Sequence, residues 1–201
     1  MTTPPDAAAR ATALLRELGA GQLAHPGGSL AAHLQRVHTL LASWNARPAL
    51  QLAGLCHAFY GTDGFPTALL PLTRRTELAT VIGAEAEALV YLYAACDRPA
   101  TYPRLADPEA PFHDRFTGTA TLPARQARRD FTELSAANEL DLAAHAPAFR
   151  TTHGPDLLAL FTGVNSLLSP AAWAHCQELL AGPPPDAPQG PPPSRGVPSA
   201  G

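Results

Sequence analysis

Leucine and alanine supply most of the apolar side chains of this chain, Ile82 is its sole isoleucine, and valine is sparse. Leu and Ala lose little rotamer freedom in a helix, whereas the β-branched and aromatic residues that favour pleated sheet are scarce here. The bias points to helices before any pattern is considered. Apolar residues make up 46% of the 201 residues, which suits one domain with a real core and is too short to expect two. The expectation is an all-α fold, a single helical domain of about seven or eight helices over residues 6–181. Residues 182–201, GPPPDAPQGPPPSRGVPSAG, hold no apolar side chain larger than valine. Such a stretch cannot bury enough surface to offset its ordering entropy, so it reads as a disordered Pro/Gly-rich tail, with a polyproline recognition segment as the lesser alternative.

The formal charge is −3 and no run of basic residues stands out, so a nucleic-acid partner is not expected. No apolar stretch reaches the roughly 18 residues that span a bilayer, so a membrane role is not expected either. The opening MTTPPDAAAR has no basic segment followed by an apolar one, as a secretory signal would. Cys56, Cys96 and Cys176 are isolated and odd in number, which suggests neither a disulfide framework nor a Cys-rich zinc site. Cytoplasmic residence is the simplest expectation. The oligomeric state is left open.

Helix signals recur along the chain. Ala7 to Leu18 is stopped by Gly19 and Gly21. Pro26, Gly27 and Gly28 form a turn, and Ser29 is an N-cap for a helix that carries His33, Val37, Leu40, Leu41 and Trp44 on one face. A third helix runs from Pro48 to about Phe59. YGTDGFP, Tyr60 to Pro66, is a loop whose Gly61 and Gly64 suit positive φ. Helices follow over Thr73 to Ile82, Ala84 to Cys96, Ala124 to His145, Pro155 to Leu168 and Pro170 to Leu180. Between Pro99 and Pro123 the chain is Pro-rich and aperiodic, and connections of this length are usually functional lids or mobile segments.

The histidines carry the chemistry. His33 lies on the apolar face of its helix, and His57 ends the next helix just before a Gly-rich loop. A lone apolar-face His is more often a satisfied core residue. Two on consecutive helices raise the case for a shared ion, since neutral imidazole is the commonest metal ligand. The motifs GxxxxGK[ST], GxGxxG and GxSxG are absent, which removes the simplest nucleotide-loop and serine-hydrolase readings.

The stretches HLQRVHTLLASW and ALQLAGLCHAFYG resemble the first two helices of the HD (His-Asp) superfamily, where a His begins one apolar helix and a His-Asp pair ends the next. His33 matches the first metal-binding His and His57 the His of the pair, whose Asp is replaced by Ala58. VIGAEAEALVYLYAACDR is similar to the helix after that pair in the hydrolase domains of stringent-response alarmone enzymes. FTELSAANELDLAAH is similar to the helix supplying the family's last metal Asp, here Asn138. The likeness covers roughly residues 25–145 and extends to an uncharacterised HD-like family with an HPGG…H…AGL.HA.YGT pattern. It implies a degenerate site holding one divalent metal ion, iron or manganese. Ala58 cannot coordinate, and Asn138 offers only a neutral oxygen, so a standard phosphohydrolase site is not implied.

Two replacement ligands are conceivable. His25, eight residues before His33 across the turn, would add a third nitrogen, and Asp97 a carboxylate. Two His and one carboxylate with open positions is the pattern of non-haem Fe(II) oxygenases. The plainer roles are an ion pair or helix-end contact for Asp97 and a local turn bond for His25. Tyr60 and Asp63 are placed to touch a ligand. Asp141, three residues beyond Asn138, is placed to orient a His from behind. Arg74 and Arg75 open a helix and read as a solvent-facing basic pair or an anion site. The expected partner is a small molecule. The readings are a metal-dependent enzyme, an oxygenase among its forms; a metal-free ligand- or partner-binding module; or a residual phosphohydrolase.

Overall fold

In the computed structural model, which describes residues 6–182, nine α-helices are present among the described residues and sheet is confined to two short strand pairs. The proposed tail lies, apart from Gly182, outside the described residues. No described helix is long and apolar enough to cross a membrane.

α1, Ala7–Glu17, starts where the Asp6 carboxylate accepts the Ala9 N–H at 2.7 Å, and it buries Ala11 and Leu15. A tight antiparallel pair, β1 (Ala24–His25) and β2 (Gly28–Ser29), turns through Pro26 and Gly27. Ser29 then caps α2, Leu30–Ser43, by accepting from Ala32 N. This hairpin holds His25 directly in front of α2. The helix ends with Asn45 at φ 56, while Ala46 N–H bonds Leu41 O and Asn45 N–H bonds Ala42 O. That is the paired closure of a helix end with Asn in the left-handed position. α3, Pro48–Cys56, has Pro in its first turn, where a missing N–H costs nothing.

α4, Arg75–Ile82, and α5, Ala84–Ala95, break at Gly83, whose φ is 88. α7, Arg125–His145, is the spine of the fold, packed against α2, α3, α5, α8 (Pro147–Gly163) and α9 (Pro170–Ala181). Neighbours on so many sides explain why α7 buries polar residues as well as Phe131, Leu134 and Leu140. Each fully buried Leu contributes roughly 1.5–3 kcal/mol, and each buried charge must find a partner.

Three features depart from the sequence expectation. α8 begins eight residues before Pro155, at Pro147, and Pro155 lies inside it. Proline suits a first helical turn, and here Pro147 rather than Pro155 takes that position. Residues 97–123 are folded: α6 (Arg98–Thr101) and the pair β3 (Phe112–His113) and β4 (Ala120–Thr121) stand in this stretch. Phe112 meets Phe131 edge-on at 4.5 Å, which ties the connection to the core rather than leaving it free. In the Tyr60–Pro66 loop only Gly61 has positive φ, at 69; Gly64 does not.

The loop sets up a direct comparison. A Cβ on Gly61 would sit 2.8 Å from Pro66 O, in a backbone conformation L residues avoid, whereas one on Gly64 would meet nothing nearer than Arg98 Nη1 at 3.7 Å. Gly61→Ala is expected to cost about 1–3 kcal/mol, and Gly64→Ala to stay within about 0.5 kcal/mol. Urea denaturation of the two variants checks this, and equal costs would contradict the loop geometry.

Candidate functional site

His33 and His57 come from consecutive helices, α2 and the end of α3, and both are buried. Their outer nitrogens have fixed partners. His33 Nδ1 donates to Asp141 Oδ2 at 2.6 Å, and His57 Nδ1 donates to Gly54 O at 2.8 Å. Their Nε2 atoms face each other at 3.3 Å, with Asn138 Oδ1 3.1 Å from His33 Nε2. The amide group of Asn138 donates to Glu139 Oε1 at 3.2 Å, which turns its oxygen toward the imidazoles.

This arrangement has an electrostatic consequence. A neutral imidazole that donates through Nδ1 carries a lone pair on Nε2. Two such lone pairs and an amide oxygen therefore converge, and among the described residues no other N–H or O–H bonds to them. One positive centre resolves the repulsion: a proton on His33 Nε2 or a metal cation. Metal–imidazole bonds of about 2.0–2.1 Å place two ligand nitrogens roughly 3 Å apart or slightly more at tetrahedral or octahedral angles. The observed spacing fits that range.

His57 is held neutral. Burial, then the neighbouring His33, lowers its pKa to about 3. His25 stacks on His33 with ring centroids 4.1 Å apart and planes at 23°, while Phe65 meets it edge-on at 5.5 Å. Burial, then His33, lowers the His25 pKa to about 4. Its Nδ1 is buried without a hydrogen-bond partner among the described residues. Ring lone pairs lie in the ring plane, so a stacked His25 faces His33 without aiming a nitrogen at it.

Asp141 lies behind the cluster. Its two oxygens accept from His33 and, at 2.7 and 2.9 Å, from Arg36 Nε and Nη2. Burial works to raise its pKa, but the hydrogen bonds from His33 and Arg36 outweigh it and hold the carboxyl at about 2. In front of the cluster lies a cavity of about 250 Å³ whose walls include His25, His57, Phe65, Arg98, Asn138 and Glu139. Ala58, at the position of the missing aspartate, also lines it. Arg98 donates to Glu139 Oε1 at 3.0 Å and to the Tyr93 hydroxyl at 2.9 Å, which fixes a polar part of a lining that also includes the apolar Leu30, Leu142 and Phe149.

The structure brings His25, His33, His57, Asn138 and Asp141 together, and leaves Asp97 and Tyr60 elsewhere. Asp97 caps α6 by accepting from Ala100 N at 3.0 Å and does not line the cavity. Its carboxylate serves a helix end, because the chain turns there into a new helix that needs an acceptor. Tyr60 is buried and donates to Glu87 at 2.9 Å; Glu87 also binds Arg75. Asp63 accepts from Arg98 N at 3.2 Å. Arg74 pairs with Glu77, so no free basic pair remains at the start of α4. Arg36, Arg98 and Glu139 were not singled out from the sequence as site residues. A signal for Arg36 was present, since it lies three residues after His33 on the same helix face.

Residues 14–98 match a protein family described as a domain of unknown function (DUF6817). The match spans less than half of the chain. It takes in His25, His33 and His57 and stops before Asn138 and Asp141. No curated protein and no solved structure matches the chain.

The neutral histidines predict an acid-sensitive fold. Unfolded His takes up a proton near pH 6.5, whereas folded His57 and His25 do so at about 3 and about 4. The unfolded state therefore binds more protons between those limits, and stability falls as pH drops from about 6.5 toward about 3. In chelator-treated protein, urea midpoints at pH 7 and pH 5 should show this loss, and His25→Gln should shrink it. A midpoint unchanged between the two pH values would rule out the neutral assignment.

Proposed function

We propose that His33, His57 and Asn138 hold a single divalent cation, iron or manganese, and that the protein is an HD-like metal-dependent enzyme acting on a small molecule in the adjoining cavity. The observation that carries this reading is the convergence of two Nε2 lone pairs at 3.3 Å, each oriented by a partner on the opposite nitrogen. A histidine ligand anchored through its second nitrogen to a carboxylate or carbonyl is the usual support of a metal site. Such an ion would act as a Lewis acid toward a bound oxygen atom. The chain's own contribution is to hold His33 through Asp141 and Arg36, to keep His57 neutral, and to line the space in front with Phe65, Phe149 and Leu142.

The donor set is neutral, and among the described residues no three His, Cys, Asp or Glu side chains form a metal-holding group. That observation favours the second reading, a metal-free ligand- or partner-binding module on the same scaffold. With Asp97 committed to α6, an oxygenase rests on the two histidines without the carboxylate of the usual triad. With Arg74 and Arg75 both paired to glutamates, the phosphohydrolase reading gains no support.

The test is metal content by mass spectrometry on protein purified without chelators and after anaerobic addition of Fe(II), Mn(II) and Zn(II). Near-stoichiometric metal, abolished by His33→Ala and by His57→Ala, is the expected result. Wild-type protein that takes up none of the three ions overturns the enzyme reading and leaves the binding module.

A further inference from the structure

A second cavity, of about 660 Å³, opens where the end of α2 meets the first turns of α7 and the start of α9. Its walls include Trp44, Arg47, Arg125, Arg129, Glu133 and Ser169. The charges around it balance in number, Arg47, Arg125 and Arg129 against Glu85, Asp130 and Glu133, but they are not all paired by contact. Arg47 is committed to Asp130, with Nε at 3.1 and 3.0 Å from the two carboxylate oxygens, and to Glu85. Glu133 accepts from Ser169 Oγ at 2.6 Å. Arg125 and Arg129 make no hydrogen bond and no ion pair among the described residues. Arg128, between them in sequence, is engaged elsewhere with backbone carbonyls.

Arg125 and Arg129 are one helical turn apart, so two like charges neighbour each other at a cost to the helix, offset at Arg129 by the Glu133 charge one turn further on. Arg125 also opens α7, where the helix's own field disfavours a cation. A chain that tolerates both costs in the wall of a cavity gains if an anion is held there. Guanidinium donors match the oxygens of phosphate and can bind them in pairs. Trp44 and Leu50, both nearly buried, add an apolar wall for the body of a ligand.

We infer that this cavity binds a small molecule carrying a phosphate group, held between the guanidinium groups of Arg125 and Arg129. The site is separate from the histidine cluster, since Arg129 and Asn138 are nine residues or about 13 Å apart along α7. It does not depend on the metal reading.

Calorimetric titration of chelator-treated protein with inorganic phosphate and pyrophosphate, at constant ionic strength, tests the inference. Removing metal denies the oxyanion an ion to ligate at the histidines. Saturable one-to-one binding is expected, weakened about tenfold by Arg125→Gln or Arg129→Gln and lost in the double variant. Among the described residues neither side chain makes a hydrogen bond or ion pair, so the variants should melt within a few degrees of the wild-type temperature. Absence of saturable binding overturns the inference, as does binding that survives the double variant. Citrate, as a polycarboxylate control, would overturn the assignment to phosphate if it bound and pyrophosphate did not.

Discussion

Asp141→Ala is expected to lower stability by about 3 kcal/mol and to weaken the proposed metal binding about 10- to 100-fold. The two effects have different origins. Asp141 is 4% exposed and accepts three hydrogen bonds, one from His33 and two from Arg36. Removing one partner of a buried ionic network leaves the others desolvated without compensation, which costs about 3–5 kcal/mol. The Arg36 side chain retains 26% exposure and can turn toward water, so the lower end applies. The affinity loss comes from orientation. Without an acceptor on Nδ1, the His33 proton moves to Nε2, where Asn138 Oδ1 lies 3.1 Å away, and the lone pair a metal needs is lost; losses of that size follow when such supports are removed. Asp141→Asn separates the two: it keeps the shape and one acceptor, so stability should recover in part while metal affinity stays reduced. Urea denaturation of the chelated protein and metal titration read them independently. An Asp141→Ala protein as stable as wild type would mean that Arg36 and His33 find other partners.

Arg128→Met should cost about 3–5 kcal/mol, comparable to or larger than that loss, although Arg128 lines neither of the two cavities. The guanidinium is 3% exposed, and burial lowers its pKa. It donates to Leu105 O, Asp107 O, Pro108 O and Ala110 O at 3.2, 3.0, 3.4 and 2.6 Å. Among the described residues no carboxylate pairs with it, so a fan of carbonyls replaces its hydration. Methionine preserves the stem but takes the donor from Leu105 O, Pro108 O and Ala110 O, while Asp107 O keeps the Ala110 N–H at 3.1 Å. Hydrogen bonds to a charged group are worth about 1.5–3 kcal/mol each, reduced here because the long bonds are weak and part of the segment can reach water. The damage should be local first: amide exchange over residues 102–112 should accelerate before global unfolding. Unchanged exchange in that segment would show that Phe112 and its neighbours, not Arg128, hold it down.

The same arginine explains a misreading of the sequence. Proline spacing and the lack of period between Pro99 and Pro123 suggest a lid or a mobile connection. The segment is folded because a cation from α7, which begins just beyond it, satisfies its carbonyls. Pairings of that kind have no periodic signature. Asp97 teaches the same lesson: from the sequence a metal-ligand role and a helix-end role were both open, and the proximity of Ala100 N decided for the cap.

The sequence by itself determined the helical class, most helix positions and the choice of His33 and His57 as candidates, while the convergence of their rings came from the structure. The first three follow from local rules: helix propensity, apolar spacing, Pro at helix starts, Ser29 as a cap, and Gly19 and Gly83 as stops. They also follow from the short connection that makes α2 and α3 neighbours. Only the tertiary structure decided what surrounds the histidines. Asn138 and Asp141 lie more than 100 residues from His33 in the chain, and they reach it because α7 packs across α2 and α3 at one register. That register is fixed by side-chain packing and paired buried charges summed over several helices, and no local stretch of sequence carries the sum.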